Sequence, residues 1–263
     1  MRRTIIALLL FLNGVAAALT QPAPAKQNGP KQAAAKQAVP KQGSAQDANC
    51  VGVVSNLGEK FTVKKIGIVV FQNEENEVPI ASWHIDDLVV AKISAALGKR
   101  ATMRRIPYQK EAFASLETPK LFRNPDTDLG EILRTTTGST RCARYVVVSG
   151  GGSSYGGTNQ SLGGLGIVAG KKPYFTGDLY NLYTLIVVRV YDGETFSLLT
   201  RKMASIGQPT LLAMIHGPHR EVDESFWPVS PDVAAQNVKL RDAIRELVAQ
   251  SLDATLAELK LTE

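Results

Sequence analysis

A serine between glycines, just after a strand-like run, is the first candidate for chemistry. The stretch GSSYG (152–156) fits the pattern Gly-x-Ser-x-Gly, and Asp192 and His216 follow later in the chain. This is the order of a Ser-Asp-His triad in a large class of hydrolases, where the serine stands at a turn from a strand into a helix. Ser154 instead enters a glycine-rich stretch. A serine hydrolase that uses Ser154, Asp192 and His216 is therefore the alternative, and the main prediction names no catalytic residue and no enzyme activity.

Two histidines beside acidic residues form the other set that suggests chemistry. His216 and His219 flank a Gly-Pro pair, and Glu221, Asp223 and Glu224 follow them. Imidazole and carboxylate groups are zinc ligands. The Gly-Pro pair is incompatible with the helical His spacing of a metalloprotease, so a solvated loop is the favoured interpretation. We predict no metal and no cofactor.

The elements that would position these groups predict an α/β fold. Three stretches have strand character: KKIGIVVF (64–71), ARYVVVSGGG (143–152) and YTLIVVRVYDGETFSLL (183–199), the last of them as a hairpin. Apolar residues recur every three or four positions in HIDDLVVAKISAALG (84–98) and again from Leu240 to Leu259, which is typical of helices that pack on a sheet. We expect a mixed sheet in a domain of two or three layers, with one long carboxyl-terminal helix.

The amino-terminal segment has the pattern of a secretory signal peptide. Arg2 and Arg3 precede an apolar run from Ile5 to Leu12, and the small residues 15–18 follow that run. The run is shorter than the ~20 apolar residues of a membrane-spanning helix. We expect residues 1–18 to be removed, with cleavage near Ala18, and the mature protein to be periplasmic or secreted.

Residues 19–49 have the composition of a disordered linker. Lys-Gln recurs every five residues from 26 to 42, with Ala, Pro and Gly between, and large apolar residues are scarce. The lysines either contact an anionic envelope surface or belong to a plain spacer, which is the favoured interpretation.

Residues 50–263 are long enough for one domain with a substantial core. Of the formal net charge of +6, residues 1–49 carry +5, so this domain is close to neutral. It lacks the excess of basic residues that nucleic-acid binding requires. We therefore expect no nucleic-acid partner.

The order of the elements resembles the α/β domain that the curli secretion protein CsgG shares with the amino-terminal domain of TolB. The resemblance covers about residues 60–260. VVF (69–71) followed by IDDL (85–88) gives an approximate version of the strand and helix motif. The YVVV strand (145–148) and the VYDGET hairpin (190–195) match the family better.

This resemblance implies an exported, non-enzymatic binding or assembly accessory of the bacterial cell envelope. Such a protein would act through contacts with an envelope protein or with copies of itself. Most CsgG-like proteins carry a cysteine for lipid attachment directly after the signal, whereas the first cysteine here is Cys50. Lipid anchoring is therefore not expected.

The two cysteines of the chain, Cys50 and Cys142, precede two predicted strands. In a parallel arrangement both would lie at the same end of the sheet, and an exported protein favours their oxidation. An even count leaves no cysteine over, so pairing within the chain is the preferred interpretation. Two buried thiols, or a pair of bridges between chains, are the alternatives.

The glycine-rich segment 150–178 is the most unusual part of the domain. Its glycines permit turns and close approach of backbones, so we expect an inserted loop or an extended hairpin. A loop that contacts a partner is the favoured interpretation. In CsgG, comparable insertions are membrane-spanning hairpins, so an oligomeric outer-membrane secretion component is the alternative. The side chains expected to make the contacts are Tyr155, Leu162, Leu165, Ile167, Tyr174 and Phe175.

Overall fold

A computed structural model describes residues 47–67, 70–117, 124–138, 140–171, 177–206, 214–259 and 261. The chain divides into two units, residues 1–42 and 43–263, and every described residue belongs to the second unit. The predicted signal peptide and most of the predicted linker therefore lie outside the described residues. The first strand begins at Asp47, inside the stretch predicted to be linker.

Twelve strands and four α-helices make up the described part of the chain. The strands are β1 (Asp47–Ser55), β2 (Lys60–Lys65), β3 (Glu74–Pro79), β4 (Thr102–Arg105), β5 (Cys142–Gly150), β6 (Gly152–Ser154), β7 (Ser161–Gly163), β8 (Leu165–Lys171), β9 (Asp178–Thr184), β10 (Ile186–Asp192), β11 (Leu198–Met203) and β12 (His219–Val222). The helices are α1 (Ile85–Leu97), α2 (Lys110–Glu117), α3 (Pro125–Thr136) and α4 (Val238–Leu259).

Two five-stranded sheets of mixed direction carry the fold, which confirms the predicted α/β class. The first sheet has the order β11-β10-β5-β1-β4, in which β1 is parallel to β4 and β5 while β10 is antiparallel to its two neighbours. The second has the order β12-β9-β8-β2-β3, in which only β2 and β8 run parallel. A small hairpin of β6 and β7 accompanies them.

The chain passes between the two sheets at one region, which we call the sheet corner. There β1 turns through residues 56–59 into β2, and β9 continues through Leu185 into β10. The end of β5 lies beside this passage, because the Gly151 amide donates to the Leu185 carbonyl at 2.7 Å. The Leu185 amide in turn donates to the Gly164 carbonyl at 2.7 Å. Glycines of the predicted insertion therefore form part of the corner.

Helices cover both faces of the first sheet, so this part of the domain has three layers. On one face, Val146 and Val188 pack in a core that includes Ile93 of α1 and Ile244 of α4. On the other face, alternate residues of the same strands pack with α2 and α3. This is the expected result of side chains that alternate between the two faces of a strand. The predicted helix stripes at 84–98 and from Leu240 onward are both confirmed, and α4 is the long carboxyl-terminal helix.

The strand predicted at residues 64–71 is shorter and earlier than expected. β2 ends at Lys65, and residues 70–72 form a short 3-10 helix. The run of apolar residues in this stretch favoured a buried strand. In the structure, the pairing of β2 with β3 and β8 covers residues 60–65. Ile68 and Val69 lie outside the described residues.

A disulfide joins Cys50 of β1 to Cys142 of β5, which confirms the predicted pairing within the chain. Both residues are fully buried, and their Cα atoms are 4.5 Å apart. The two strands are parallel neighbours, so the bond links them at one end of the first sheet.

The glycine-rich segment is built into the domain rather than added to it. It contains the expected hairpin, as β6 and β7, and it also supplies β8, the central strand of the second sheet. Gly166 and Gly170 of β8 leave room for two tyrosines, because a Cβ atom at these positions would lie 2.2 Å from the Tyr183 hydroxyl oxygen and 2.8 Å from that of Tyr155.

The expected contact side chains of this segment require a correction. Tyr155, Leu162, Leu165 and Ile167 are each at most 3% exposed, since they pack in the domain core. In the folded chain they pack in the core and do not form an exposed contact surface. Tyr174 and Phe175 lie outside the described residues.

None of the described helices combines the length and apolar character that crossing a membrane requires.

Candidate functional site

A cavity of about 650 Å³ lies at the sheet corner, and we call it the corner cleft. Its walls come from the turn after β1, from β2 and β3, from the ends of β5 and β7, and from α2, α3 and β10. The cleft therefore depends on segments that are far apart in the sequence. Its polar groups fall into a basic wall and an acidic wall.

Arg189 dominates the basic wall. It lies in the middle of β10, where Val188 and Val190 point into the core with α1 and α4 and Arg189 points to the other face. Its side chain is only 11% exposed. The guanidinium donates from Nε to Asp126 Oδ1 at 2.6 Å and from Nη1 to Ser149 Oγ at 2.9 Å.

Asp126 is held in place by the start of α3. The Asn124 side chain caps the helix by accepting a hydrogen bond from the Asp126 amide at 3.0 Å. Pro125 occupies the first turn, as is typical of helix starts. A second guanidinium, that of Arg201, lies 3.8 Å from Asp126 Oδ2. One carboxylate is thus shared between two arginines, of which Arg189 lines the cleft and Arg201 does not.

The acidic wall comes from β2 and β3 and from the turn before β2. Lys60 Nζ lies 2.9 Å from Glu77 Oε1, and Lys64 Nζ lies 2.7 Å from Glu75 Oε2. The second pair follows the register of the strands, which places Lys64 opposite Glu75, whereas Lys60 lies opposite Pro79 and contacts Glu77 diagonally.

Glu59 adds a further carboxylate to this wall, and it accepts a hydrogen bond from the Tyr108 hydroxyl at 2.7 Å. Burial, and then the bond to Glu59, raise the pKa of Tyr108 far above its ordinary value, so this tyrosine is a neutral donor. The Tyr108 hydroxyl therefore orients the Glu59 carboxylate without cancelling its charge.

Glycines form the floor between the two walls. A Cβ atom on Gly150 would lie 3.2 Å from Gly164 Cα, and one on Gly151 would lie 2.7 Å from Val187 Cγ2. Side chains at these two positions would displace the Gly164 backbone and the Val187 side chain. Phe113 and Leu129 contribute apolar surface from α2 and α3.

Asp86, in the first turn of α1, fixes the turn between β1 and β2 at the edge of the cleft. Its Oδ1 accepts hydrogen bonds from Ser55 Oγ at 2.5 Å and from the Gly58 amide at 3.1 Å. Burial raises the pKa of Asp86 above its ordinary value, although these hydrogen bonds act in the opposite direction. The neighbouring Asp87 faces Arg105 instead, and that contact lowers its pKa.

The alternative catalytic triad is not assembled. Ser154 pairs with Ser161 in the small hairpin beside the corner, whereas Asp192 lies at the far end of β10, opposite Arg144. Strand residues advance about 3.3 Å each, so β10 separates Asp192 from the corner by roughly 20 Å. The Asp192 carboxylate accepts from the amides of residues 194 and 195 and thereby holds the β10–β11 turn. The His216 backbone amide donates a hydrogen bond to Ser153 Oγ at 3.1 Å.

The histidine and acidic cluster predicted as a solvated loop lies in and beside β12. His219 Nδ1 is 2.8 Å from the Gly217 carbonyl oxygen, and Asp223 accepts from the Ser225 amide at 2.9 Å. Across the ranges that the structure describes, no three side chains among His, Cys, Asp and Glu are grouped so that they could hold a metal ion.

The charged residues of the corner cleft were missed by the sequence analysis, whereas Gly150, Gly163, Gly164 and Leu165 belong to the segment predicted to contact a partner. Arg189 had a signal, because it is a charged residue in the middle of the apolar strand IVVRVYD. A buried charge of this kind needs a partner. The identity of that partner, Asp126, had no signal, since it depends on where α3 packs against the sheet.

Comparison with known proteins gives no family assignment. No protein-family model matches the chain, and no curated protein matches it in sequence. Among solved structures, a neuraminyllactose-binding hemagglutinin homolog from Helicobacter pylori is similar at a TM-score of 0.34 and 7% identity, over 82% of this chain and 85% of that chain. The hypothetical protein CT253 from Chlamydia trachomatis is similar at a TM-score of 0.27 and 10% identity, over 79% of this chain and 99% of that chain. Similarity at this level carries no conclusion about function.

Proposed function

We propose that the protein is an exported, non-enzymatic binding or assembly accessory of the bacterial cell envelope, and that it binds its partner at the corner cleft. The observation that carries the binding role is the cleft itself, with a buried arginine on one wall and an excess of carboxylates on the other. Concave sites with a few fixed polar groups are the usual form of ligand sites.

Export to the periplasm or the medium is part of the same proposal. The buried disulfide between Cys50 and Cys142 supports it, because disulfides persist in oxidising compartments. The signal-like amino terminus and the resemblance to the CsgG and TolB domain suggest the same location. The envelope partner, or a second copy of the chain, follows from that resemblance.

Binding rather than catalysis agrees with how the polar groups of the cleft are used. Ser149 is the hydroxyl beside the buried arginine, and its Oγ accepts a hydrogen bond from Arg189. The same hydroxyl donates to the Gly150 carbonyl at 3.5 Å, whereas a nucleophilic serine gives its proton to a base. Arg189 and Asp126 neutralise each other in part, as do Lys60 and Glu77. Such preorganised charge pairs suit recognition of a charged ligand.

Two glycine variants of the hairpin test whether the cleft is the binding site. Gly163 lies at the cleft wall, and Gly152 lies directly opposite it on β6 but does not line the cleft. A Cβ atom at either position meets only one carbonyl oxygen, at 3.6 Å, so both positions accept a side chain. We expect Gly163→Phe to obstruct the cleft, and Gly152→Phe, which lies on the same face of the hairpin but one strand away from the lining, to obstruct it less.

The measurement is retention of envelope components by the mature, disulfide-bonded protein, read by native mass spectrometry and by pull-down from a periplasmic extract. Components of interest are those that the wild type and Gly152→Phe retain and Gly163→Phe loses. If both variants retain everything that the wild type retains, the cleft is not the binding site. Intact mass tests the export part, because the mature chain should begin near Leu19.

A further inference from the structure

We infer that the corner cleft takes a zwitterionic, peptide-like ligand, whose carboxylate binds at Arg189 and whose ammonium binds at Glu59. This inference rests on the proposed function, since it assumes that the cleft is the binding site. It adds the chemical class of the ligand, and it follows from the charges that the two walls leave uncompensated.

At the Arg189 end of the cleft one carboxylate serves two guanidinium groups, of which Arg189 lines the cleft and Arg201 does not. Asp126 lies 2.6 Å from Arg189 and 3.8 Å from Arg201. A guanidinium has five N–H donors, and Arg189 uses its Nε and Nη1 groups within the chain. Its remaining donors suit a carboxylate, which guanidinium groups bind in two-pronged geometry. Because Arg189 is largely shielded from water, this attraction is stronger than at an exposed site.

The acidic wall has an excess of negative charge. Glu59, Glu75 and Glu77 face two ammonium groups, those of Lys60 and Lys64. The two lysines pair with Glu77 and Glu75, whereas Glu59 accepts its hydrogen bond from a neutral phenol. An ammonium group would bring this wall to neutrality.

A ligand with a single charge is a poor fit to a cleft of this kind. An anion would be attracted to Arg189 but repelled by the glutamates. A simple cation would be attracted to the glutamates but repelled by Arg189. A ligand that carries both charges satisfies both walls, and its middle would lie against Phe113 and Leu129. The cavity of about 650 Å³ is also of the size that small organic ligands occupy. A free amino acid and a short peptide share this chemistry.

The first experiment measures calorimetric binding of the tripeptide Ala-Phe-Ala and of free phenylalanine to the mature protein. The tripeptide is used in four forms: uncapped, amino-acetylated, carboxyl-amidated and capped at both ends. We expect the uncapped form to bind and each single cap to weaken it by about tenfold, because each cap removes one charge-assisted interaction. Tighter binding of phenylalanine than of the tripeptide would identify the amino-acid form of the ligand, and the reverse would identify the peptide form.

Charge variants then assign each end of the ligand to its wall. Glu59→Gln keeps the acceptor for Tyr108 but removes the charge, so uncapped and acetylated tripeptide should bind equally. Asp126→Asn releases Arg189 from its competitor and should tighten binding of the carboxylate several-fold, a gain that a merely structural role would not produce. If Asp126→Asn does not fold, Arg201→Gln replaces it as the test. Arg201 is half-exposed, and its removal should weaken binding of the ligand carboxylate. Glu246→Gln, on the surface of α4, is the matched control for loss of one carboxylate.

The outcomes separate this inference from the proposed function. Equal binding of the four tripeptide forms, or no binding of any probe while Gly163→Phe still releases the retained component, overturns the zwitterionic ligand and leaves the cleft as the site. If Gly163→Phe affects neither the probes nor the retained component, the proposed function falls together with the inference.

Discussion

At its amino end β5 is joined covalently to β1, whereas at its carboxyl end it runs into glycines that border an open cleft. The amino end is closed by the disulfide and by Tyr145, whose hydroxyl donates to the Thr140 carbonyl at 2.6 Å and accepts from the Cys142 amide at 3.2 Å. At the other end, Gly150 and Gly151 lie at the floor of the corner cleft. One strand thus combines a fixed anchor with a site that has space for a ligand.

Two glycines near these ends, Gly52 and Gly163, differ in the space around them. Gly52, on β1, lies under the Tyr145 ring, and a Cβ atom there would be 2.4 Å from Tyr145 Cδ1. Gly163, at the cleft wall, has only a carbonyl oxygen at 3.6 Å. The first glycine permits dense packing, and the second leaves a wall without side chains. The following changes test how far the two ends differ.

Removal of the disulfide should have the largest effect on stability. The bond joins residues 92 positions apart, so in the chain-entropy treatment Cys50→Ala/Cys142→Ala lowers the free energy of unfolding by about 4 kcal/mol. Urea unfolding of the double variant measures this loss. Binding at the cleft should change little in the fraction that remains folded.

The control for the disulfide is the wild type in reductant, which should lose a similar amount. A double variant as stable as the oxidised wild type would mean that the closed end does not depend on the covalent bond. A loss of cleft binding in a fully folded double variant would show that the two ends of β5 are coupled.

A methyl group added at the closed end should cost more than one added at the open end. Gly52→Ala forces the Tyr145 ring to move and should lower the free energy of unfolding by about 2 kcal/mol, as is usual for overpacking. Gly163→Ala, also in a strand, should change it by less than about 0.5 kcal/mol. Urea unfolding of the two variants under the same conditions measures both values, and equal losses would contradict the contrast drawn above.

The smallest expected effect is a pH dependence at the edge of the cleft. The folded-state pKa of Asp86 is raised above 3.8, mainly by burial, so its ionised form disfavours folding. As the pH falls from neutral through the raised pKa toward 3.8, the folded state takes up the proton first and the wild type gains stability relative to Asp86→Asn.

Asp87 is the matched control, because its pKa is lowered below 3.8 by its hydrogen bond to Arg105. The stability that ionised Asp87 contributes is present above pH 3.8 and is lost as the pH falls through the lowered pKa. The wild type should therefore lose stability relative to Asp87→Asn over this range. Urea unfolding of both variants and the wild type over a pH series gives the two trends. If both variants showed the same trend with pH, burial would not be the main cause of the Asp86 pKa shift.

Much of the fold was predictable, since local patterns report local structure. The apolar stripes predicted α1 and α4, and the YVVV run predicted β5. The pairing of Cys50 with Cys142 followed from their positions before two strands. The strand at 64–71 was wrong in its bounds, because apolar letters alone do not tell where a neighbouring strand stops pairing.

Most of the candidate site was not predictable, since contacts such as that of Arg189 with Asp126 join distant parts of the chain. The Gly-x-Ser-x-Gly motif at Ser154 is a local pattern, so it could be recognised from the sequence. Asp192, however, lies at the other end of β10. The contact role of Leu165 and Ile167 failed for a related reason, since a glycine-rich composition gave no indication that β8 is a central strand.

The sequence by itself determined the class of fold and the helix faces, because each of these depends on periodicity within a few positions, and it favoured the disulfide without excluding free thiols. Only the tertiary structure decided that β1 and β2 enter different sheets, that glycines of the inserted segment form the floor of a cleft, and that Arg189 meets Asp126. The physical reason is that strand register and helix placement are set by packing of the whole core, and the charges of the cleft become neighbours only when that packing is complete.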